Sequence, residues 1–349
     1  MADKRPRITI ATIADQAGVS IPTVSKVLNG RGDVAPATRE LVEAQLRESG
    51  YQRRRTAAPS PVPMIDLVFH DLGNPWAVEV IRGVEEAARE ENVEVVLSEC
   101  GAARRPRQEW INSVLIRRPA GVIMVFSDLA PDQRAQLDAR QIPYVVVDPI
   151  GEEDESVASI GSNNWSGGRA ATRHLIELGH RRIAAISGPA DTLCARARMD
   201  GYVDALRRAG LPDAPELVRV GDFSVEGGYR CARDLLALRD RPTAIFAGSD
   251  MQALGVLRAA RELGWDVPQD LSVVGYDDLP LASWVWPRLT TVAQPLVEMA
   301  GQATRLVLAL ARGEQPAVRK MDLAVRLVER ESTAAWPGGP AAGQGQDRS

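Results

Sequence analysis

From residue 64 to residue 276, short β-like apolar runs alternate with amphipathic helical stretches, and this alternation leaves few folds open. Strands are expected at 64–69 (MIDLVF), 93–97, 121–126, 144–147, 183–186, 216–220, 244–247 and 271–276. Helices are expected between them at 78–90, 107–117, 132–140, 166–178, 195–209, 226–238 and 251–263. Such a βα series specifies parallel sheets covered by helices on both faces, because parallel neighbours need a crossover. One compact sheet seldom holds so many strands. The body is therefore expected to form two parallel-sheet subdomains, with a helix at 296–312 and an alternating segment at 321–328 returning the chain through both. The expected body spans 64–332, with an N-subdomain at 64–161 and 293–320 and a C-subdomain at 162–292 and 321–332. A tail at 333–349, rich in Gly, Pro and Gln, is expected to be disordered.

A chain of 349 residues is too long for one ordinary core. It contains no apolar run long enough to span a bilayer. The start, MADKRPR, lacks the apolar centre of a signal peptide, so a cytoplasmic location is expected. Cys100, Cys194 and Cys231 are far apart and odd in number, which suits reduced thiols rather than a disulfide frame or a metal site.

The net charge of −4 conceals an asymmetry. Residues 1–58 hold ten Lys/Arg against six acids, a net +4, so the remainder carries −8. A small basic head on an acidic body points to nucleic-acid contact by the head alone. The segment 56–63 (TAAPSPVP) has three prolines in five positions and reads as a stiff linker between the head at 1–55 and the body.

Inside the head, ITIATIADQAGVSIPTVSKVLNG (8–30) has the rhythm of two short helices around a tight turn. Thr9 can cap the first, and Gly18 ends it. Ile10, Ile13, Ala14 and Ala17 share one face. Ser20 caps the second helix, Pro22 fits its first turn, and Val24, Val27 and Leu28 form its buried side. A third helix begins near Pro36 and is expected to bury Leu41, Ala44 and Leu46. The result is a three-helix unit containing a helix-turn-helix. Its reading helix carries one cation, Lys26. Ile21, Pro22 and Lys26 project at the end that meets base edges, while Thr9, Ser20, Thr23 and Ser25 offer hydroxyls to phosphates. Asn29, Arg31, Arg39, Tyr51 and Arg53, Arg54 and Arg55 complete the expected DNA-binding set, with bulk charge supplied by the flanks.

The stretch from Thr9 to Tyr51 resembles the DNA-binding head of the lactose/galactose repressor (LacI/GalR) family of bacterial transcription regulators. The body is similar to the same family in LIELGHRRIAAISGP, ARARMDGYVDALRRAGL, FAGSDMQALGVLRAARELGWDVPQDLSVVGYDD and PRLTTVAQP, in that order. The resemblance covers about residues 8–332 and implies a periplasmic-binding-protein-like body, an effector cleft between its subdomains, and dimers on near-palindromic operators. Two departures stand out. The family's hinge helix with its Ala/Leu pair is replaced by RRRTAAPSPVPM, which has no leucine to wedge into a minor groove. The first two reading positions are Ile21 and Pro22, so side-chain readout there is apolar.

Ligand sites in parallel sheets lie beyond the carboxyl ends of the strands. That rule selects Asp71, Trp76, Ser127, Asp148, Asn164, Trp165, Phe223, Ser249, Asp250 and Asp277. The resemblance adds Arg198 as a clamp for ligand oxygens and implies roles for Asp277 as a holder of hydroxyls or ring nitrogens and Phe223 as a stacking platform, with Ser249 and Asp148 at matching positions. Carboxylates, amides and aromatic faces in one cleft suit a sugar, and the stacking groups would serve a purine or nucleoside equally. Other roles stay open: Asp250 and Asp277 as caps, Arg198 as a solvated helix charge, Trp284 and Trp286 as packing between subdomains, His180 as structural.

The common hydrolase, metalloprotease and phosphate-loop motifs are absent from the sequence, and His70, His174 and His180 stand apart. No catalytic residue, cofactor or metal is expected. The expected protein is a regulator, a repressor in the main reading, whose partners are operator DNA, a small effector and a second copy of itself, with no membrane.

Overall fold

The computed structural model describes residues 10–28, 34–48, 63–100, 105–150 and 156–337. The chain separates into two compact units, 1–61 and 62–349. In the first, α1 (Ile10–Gln16), α2 (Ile21–Leu28) and α3 (Pro36–Glu48) enclose Ile13, Ala14, Ala17, Val24, Val27 and Val42. Gly18 has φ +63°, the left-handed conformation that closes α1. The Val19 N–H donates to Ala14 O and the Gly18 N–H to Asp15 O, so the end carbonyls of α1 are satisfied locally. On α3 the buried face differs from expectation. Val42 is fully buried and Leu46 packs beside it, whereas Leu41 is 49% exposed and Ala44 only half-buried. One residue along a helix is about 100° of rotation, so choosing Leu41 instead of Val42 selected the wrong face.

The second unit begins with β1 (Met64–Phe69), α4 (Pro75–Glu90), β2 (Glu94–Glu99), α5 (Gln108–Arg117), β3 (Gly121–Val125), α6 (Pro131–Asp138), β4 (Tyr144–Val147) and β5 (Ser159–Ser162). It continues with α7 (Asn164–Glu177), β6 (Ile183–Ser187), α8 (Leu193–Arg208), β7 (Val218–Val220), α9 (Val225–Leu236), β8 (Ala244–Ala247), α10 (Asp250–Glu262), β9 (Ser272–Asp277) and β10 (Thr290–Ala293). It closes with α11 (Leu296–Ala311), β11 (Lys320–Leu323) and β12 (Arg326–Val328). The described strands build two six-stranded sheets, ordered β11-β5-β4-β3-β1-β2 and β12-β10-β9-β8-β6-β7. Pairing is parallel except that β12 runs antiparallel to β10.

Alternate residues of each strand feed opposite faces. In the first lobe Ile65, Leu67 and Phe69 pack with α4 and α11, while Val68 joins the α5 and α6 side through Ile111, Val114 and Leu137. In the second lobe Ala184 and Ile186 face the core shared with α9 and α10, while Ile183 and Ala185 face that shared with α7 and α8. Helices α7 and α8 cross closely because Gly168 lies against the backbone of Arg198 and Gly201 against that of Trp165, leaving no room for a Cβ at either position. This crossing sets where Arg198 and Trp165 emerge.

Several boundaries need correction. The segment 321–328 is two strands in different sheets: β11 pairs with β5 in the first lobe and β12 with β10 in the second. Residues 321–323 therefore belong with the first lobe rather than the C-subdomain. The β10 strand lies in the second sheet, so residue 293 belongs there, and β5, unanticipated, extends the first sheet to residue 162. Residues 215–217 form a 3-10 turn before β7. The start of the expected disordered tail is pinned. His174 and His180 hydrogen-bond Thr333 and Ala334, the Trp336 N–H donates to Leu178 O, and the Trp336 ring packs on His180. Residues 338–349 lie outside the described residues.

Candidate functional site

In the head, the expected contact surface is the start of α2. Ser20 caps it: the Thr23 N–H donates to Ser20 Oγ at 3.3 Å, and the two hydroxyls lie 2.8 Å apart. Ile21 and Pro22 are exposed, with Ile21 at 52%, while Thr23, Ser25 and Lys26 are half-buried along the same helix. Val24 and Val27 face inward. Burial of one side thus leaves a surface of hydroxyls, apolar groups and a single cation on α2. Arg39 is half-buried on α3. Thr9, Asn29, Arg31, Tyr51 and Arg53, Arg54 and Arg55 lie outside the described residues.

In the body, strand ends of both lobes line one cleft with two adjoining compartments. The first spans about 700 Å³, its open mouth included. It gathers Asp71 and Trp76 from the first lobe with Arg198, Phe223, Ser249 and Asp277 from the second. Trp76, Phe126 and Phe223 form a continuous aromatic wall, with ring centroids 4.9 Å and 6.4 Å apart. Phe223 can lie there only because Gly188 has no Cβ to strike its ring.

Arg198 sits at the centre, 3% exposed. Its Nε donates to Asn164 Oδ1 at 2.8 Å and its NH1 to Gly248 O at 2.6 Å. The guanidinium lies 3.7 Å from the Tyr276 ring centroid and 3.7 Å from Asp277 Oδ1. Asp277 in turn accepts from Gln294 Nε2 at 2.6 Å, and Gln294 Oε1 accepts from Ser162 Oγ at 2.6 Å. The hydrogen-bonded chain Ser162–Gln294–Asp277 therefore reaches the Arg198 ion pair from the two segments that pass between the lobes after β5 and β10. Burial pushes the Asp277 carboxyl up to about 7, with Arg198 acting in the opposite direction.

The second compartment spans about 2330 Å³ with its opening to solvent included, and gathers Ser127, Asp148, Asn164 and Trp165. Asp148 is 2% exposed, and its Oδ2 has no hydrogen-bond partner among the described residues. Burial raises its carboxyl to about 6, partly offset by Arg198. Ser127 Oγ donates to Val125 O, and Trp165 carries the Arg169 guanidinium 5.4 Å from its ring centroid. Phe126, Asp148, Phe223 and Asp277 all have positive φ, between 47° and 118°, and all line the two compartments. Backbone strain concentrated at one cleft marks a place where side-chain aim outweighs local comfort.

Asp250 does not join the cleft. It is fully buried at the start of α10, where Oδ1 accepts from Thr291 Oγ1 and Oδ2 from the Leu279 N–H. Burial, then the charge of Asp277, raises its pKa. It ties α10 to β10 and lines neither compartment. Ser249 does line the first compartment while capping α10 through the Gln252 N–H. Trp284 and Trp286, read as packing between subdomains, are 79% and 85% exposed. His180 is structural, bonded to Thr243 and Ser272 and held down to about 4 by burial. Phe126, Thr192 and Gln294 were not anticipated. Phe126 stands at a strand end and was open to the same rule, whereas Thr192 and Gln294, the latter joined to the site through Asp277, carry no local signal.

A helix-turn-helix joined in one chain to a two-lobed receptor defines a ligand-responsive transcription regulator. Residues 9–54 match the model of bacterial regulatory proteins of the lacI family, and residues 172–333 match the periplasmic binding protein-like domain. The regulator CelR of Thermobifida fusca is 35% identical over 340 residues, covering 95% of this chain and 99% of the relative. A solved CelR–cellobiose complex is 34% identical with a TM-score of 0.71, covering 93% of this chain and 100% of that one. A lac repressor dimer bound to operator is 30% identical with a TM-score of 0.68, covering 95% and 100%. This chain belongs to the lacI family and is a DNA-binding transcriptional regulator. No helix among the described residues is long and apolar enough to cross a membrane.

Proposed function

We propose that this regulator represses transcription by docking the start of α2 in operator major grooves, and that a sugar in the interlobe cleft sets its operator affinity. The observation that carries the sugar reading is the Arg198–Asp277 pair facing the Trp76–Phe126–Phe223 wall. Hydroxyls can donate to and accept from the pair while a pyranose face lies on the rings. Asp71, Ser127, Asp148, Asn164, Trp165 and Ser249 supply the surrounding contacts. Thr9, Ser20, Thr23 and Ser25 hold phosphates, Ile21, Pro22 and Lys26 face bases, and Asn29, Arg31, Arg39, Tyr51 and Arg53, Arg54 and Arg55 support them. The same aromatic wall favours a purine as the second reading.

The protein acts as a cytoplasmic homodimer and has no catalytic step. Exposed Trp284 and Trp286, with Val78 exposed on α4, supply apolar surface for the dimer contact. Thermal melting of the full chain with sugars and with purines tests the effector class. Only a ligand that binds the folded state raises Tm, and a purine response without a sugar response overturns the main reading.

A further inference from the structure

We propose that a hydrated magnesium ion binds beside Gly161, held by the carboxylates of Asp148 and Asp322. The inference goes beyond the sugar reading and stands whatever the effector is. Strands β4, β5 and β11 are neighbours at one edge of the first sheet. Their register sets Asp322 of β11 directly against Gly161 of β5. Asp148 follows β4 on the other side, where its N–H donates to Ile160 O at 3.0 Å. Glycine between the two acids leaves space where a side chain would otherwise stand. A Cβ at Gly161 would lie 2.8 Å from Asp322 Oδ1 and 3.7 Å from Asp148 Oδ1. The two carboxylates therefore converge on one point from strands on either side of it.

Two acids on a solvated face would need no ligand. Here Asp322 is exposed, but Asp148 is 2% exposed and its Oδ2 has no hydrogen-bond partner among the described residues. A buried acceptor without a partner is costly, and a cation or its bound water relieves it. Arg198 is already committed, donating to Asn164 and Gly248 and lying 3.7 Å from Asp277 Oδ1. Lys320, exposed on the same face two residues before Asp322, is the rival source of positive charge. Asp148, Gly161 and Asp322 all line the second compartment, so an ion can enter from solvent past Asp322. The lining also selects the type of ion. Ser159 adds a hydroxyl beside the two carboxylates, and no described histidine lines the compartment. Cys194 lines it, but that thiol is buried, and burial disfavours the thiolate a metal needs. Oxygen donors alone favour a hard cation. Among the described residues no three acids, histidines or cysteines are grouped to cage a metal. Magnesium keeps several waters and binds through one or two carboxylates, which suits a pair.

The test uses the full chain, treated with chelator and dialysed, with Mn²⁺ as the paramagnetic probe of the magnesium site. Free Mn²⁺ is read by electron paramagnetic resonance, and Mg²⁺ is added as competitor. One saturable site per chain is expected, from which Mg²⁺ displaces Mn²⁺. Asp148→Asn and Asp322→Asn should each weaken it about tenfold or more, since loss of even a supporting group costs a metal site that much. Asp322 is exposed, so Asp322→Asn tests the site without disturbing the core. Asp128→Asn alters another acid of the compartment, paired with Arg134 at 2.6 Å, and should leave the affinity unchanged. No saturable binding by about 1 mM, the weak end for oxygen-donor cation sites, overturns the proposal and leaves Lys320 to balance the pair. Binding that survives both Asp148→Asn and Asp322→Asn puts the ion elsewhere and overturns it as well. Neither result touches the sugar reading, which the melting experiment tests separately.

Discussion

The head and the cleft answer opposite electrostatic demands. The head must meet a polyanion in water, so its contact groups are exposed or half-buried on ordinary helix and its core is a few small apolar residues. The cleft must select a small molecule away from water. Its key groups, Arg198, Asp148 and Asp277, are each at least 95% buried, and both acids sit on strained backbone. Charge at the surface is cheap and screened, whereas charge in the cleft persists only through mutual pairing and proton uptake. Changes in the head should therefore alter affinity in graded steps. Changes in the cleft should remove the response outright.

The sharpest break in that contrast is Arg198→Met. It removes the donor to Asn164 and Gly248 along with the cation proposed to hold the ligand. Effector affinity should fall by about 100-fold or more, the loss expected for several charge-assisted hydrogen bonds. Operator binding without effector should persist, and a retained effector-induced Tm shift would remove Arg198 from the site.

Next in size is a pH effect. Folding raises Asp148 from 3.8 to about 6, so its contribution to stability is full below pH 3.8 and is lost as pH rises through 6. The change is about 3 kcal/mol. His180, lowered from 6.5 to about 4, has the opposite sign: its contribution is full above 6.5 and lost as pH falls through 4. Asp148→Asn deletes the first effect and keeps the second. The difference in unfolding free energy between variant and parent should change steadily between these limits, and a flat difference would contradict the burial argument.

In the head, Lys26→Ala should cost about 1–3 kcal/mol of operator binding and relax preference at one base pair. Equal loss on random DNA, measured by competition binding, would reduce Lys26 to a phosphate contact. Smallest of the four, Ser20→Ala should lower head stability by about 1 kcal/mol through loss of the α2 cap, read as a shift in its melting temperature. No shift would mean that the Thr23 N–H finds water equally well.

The alternation of apolar runs was enough to anticipate the parallel sheets and most helices, because periodicity follows from which face is buried. Strand β5 escaped because Ser159-Ile160-Gly161-Ser162 has little β propensity; it is held by neighbours on both sides. Segment 321–328 looked like one strand because its alternation continues across the crossover. In the cleft, the strand-end rule found Asp71, Trp76, Ser127, Asn164 and Trp165 as lining residues. It misplaced Asp250, which follows β8 one residue after Ser249 but turns inward to Thr291. No local pattern records that choice, since the partner lies 41 residues away.

By itself the sequence determined a cationic helix-turn-helix ahead of an acidic βα body, because charge, capping and periodicity are local properties. Tertiary structure alone decided that Arg198 should be buried against Tyr276, that Gln294 should relay Asp277 to Ser162, and that Asp148 should keep an oxygen without a partner among the described residues at the edge of a second compartment. Each of these depends on desolvation by residues distant in the chain, and desolvation is a property of the packed molecule rather than of any segment.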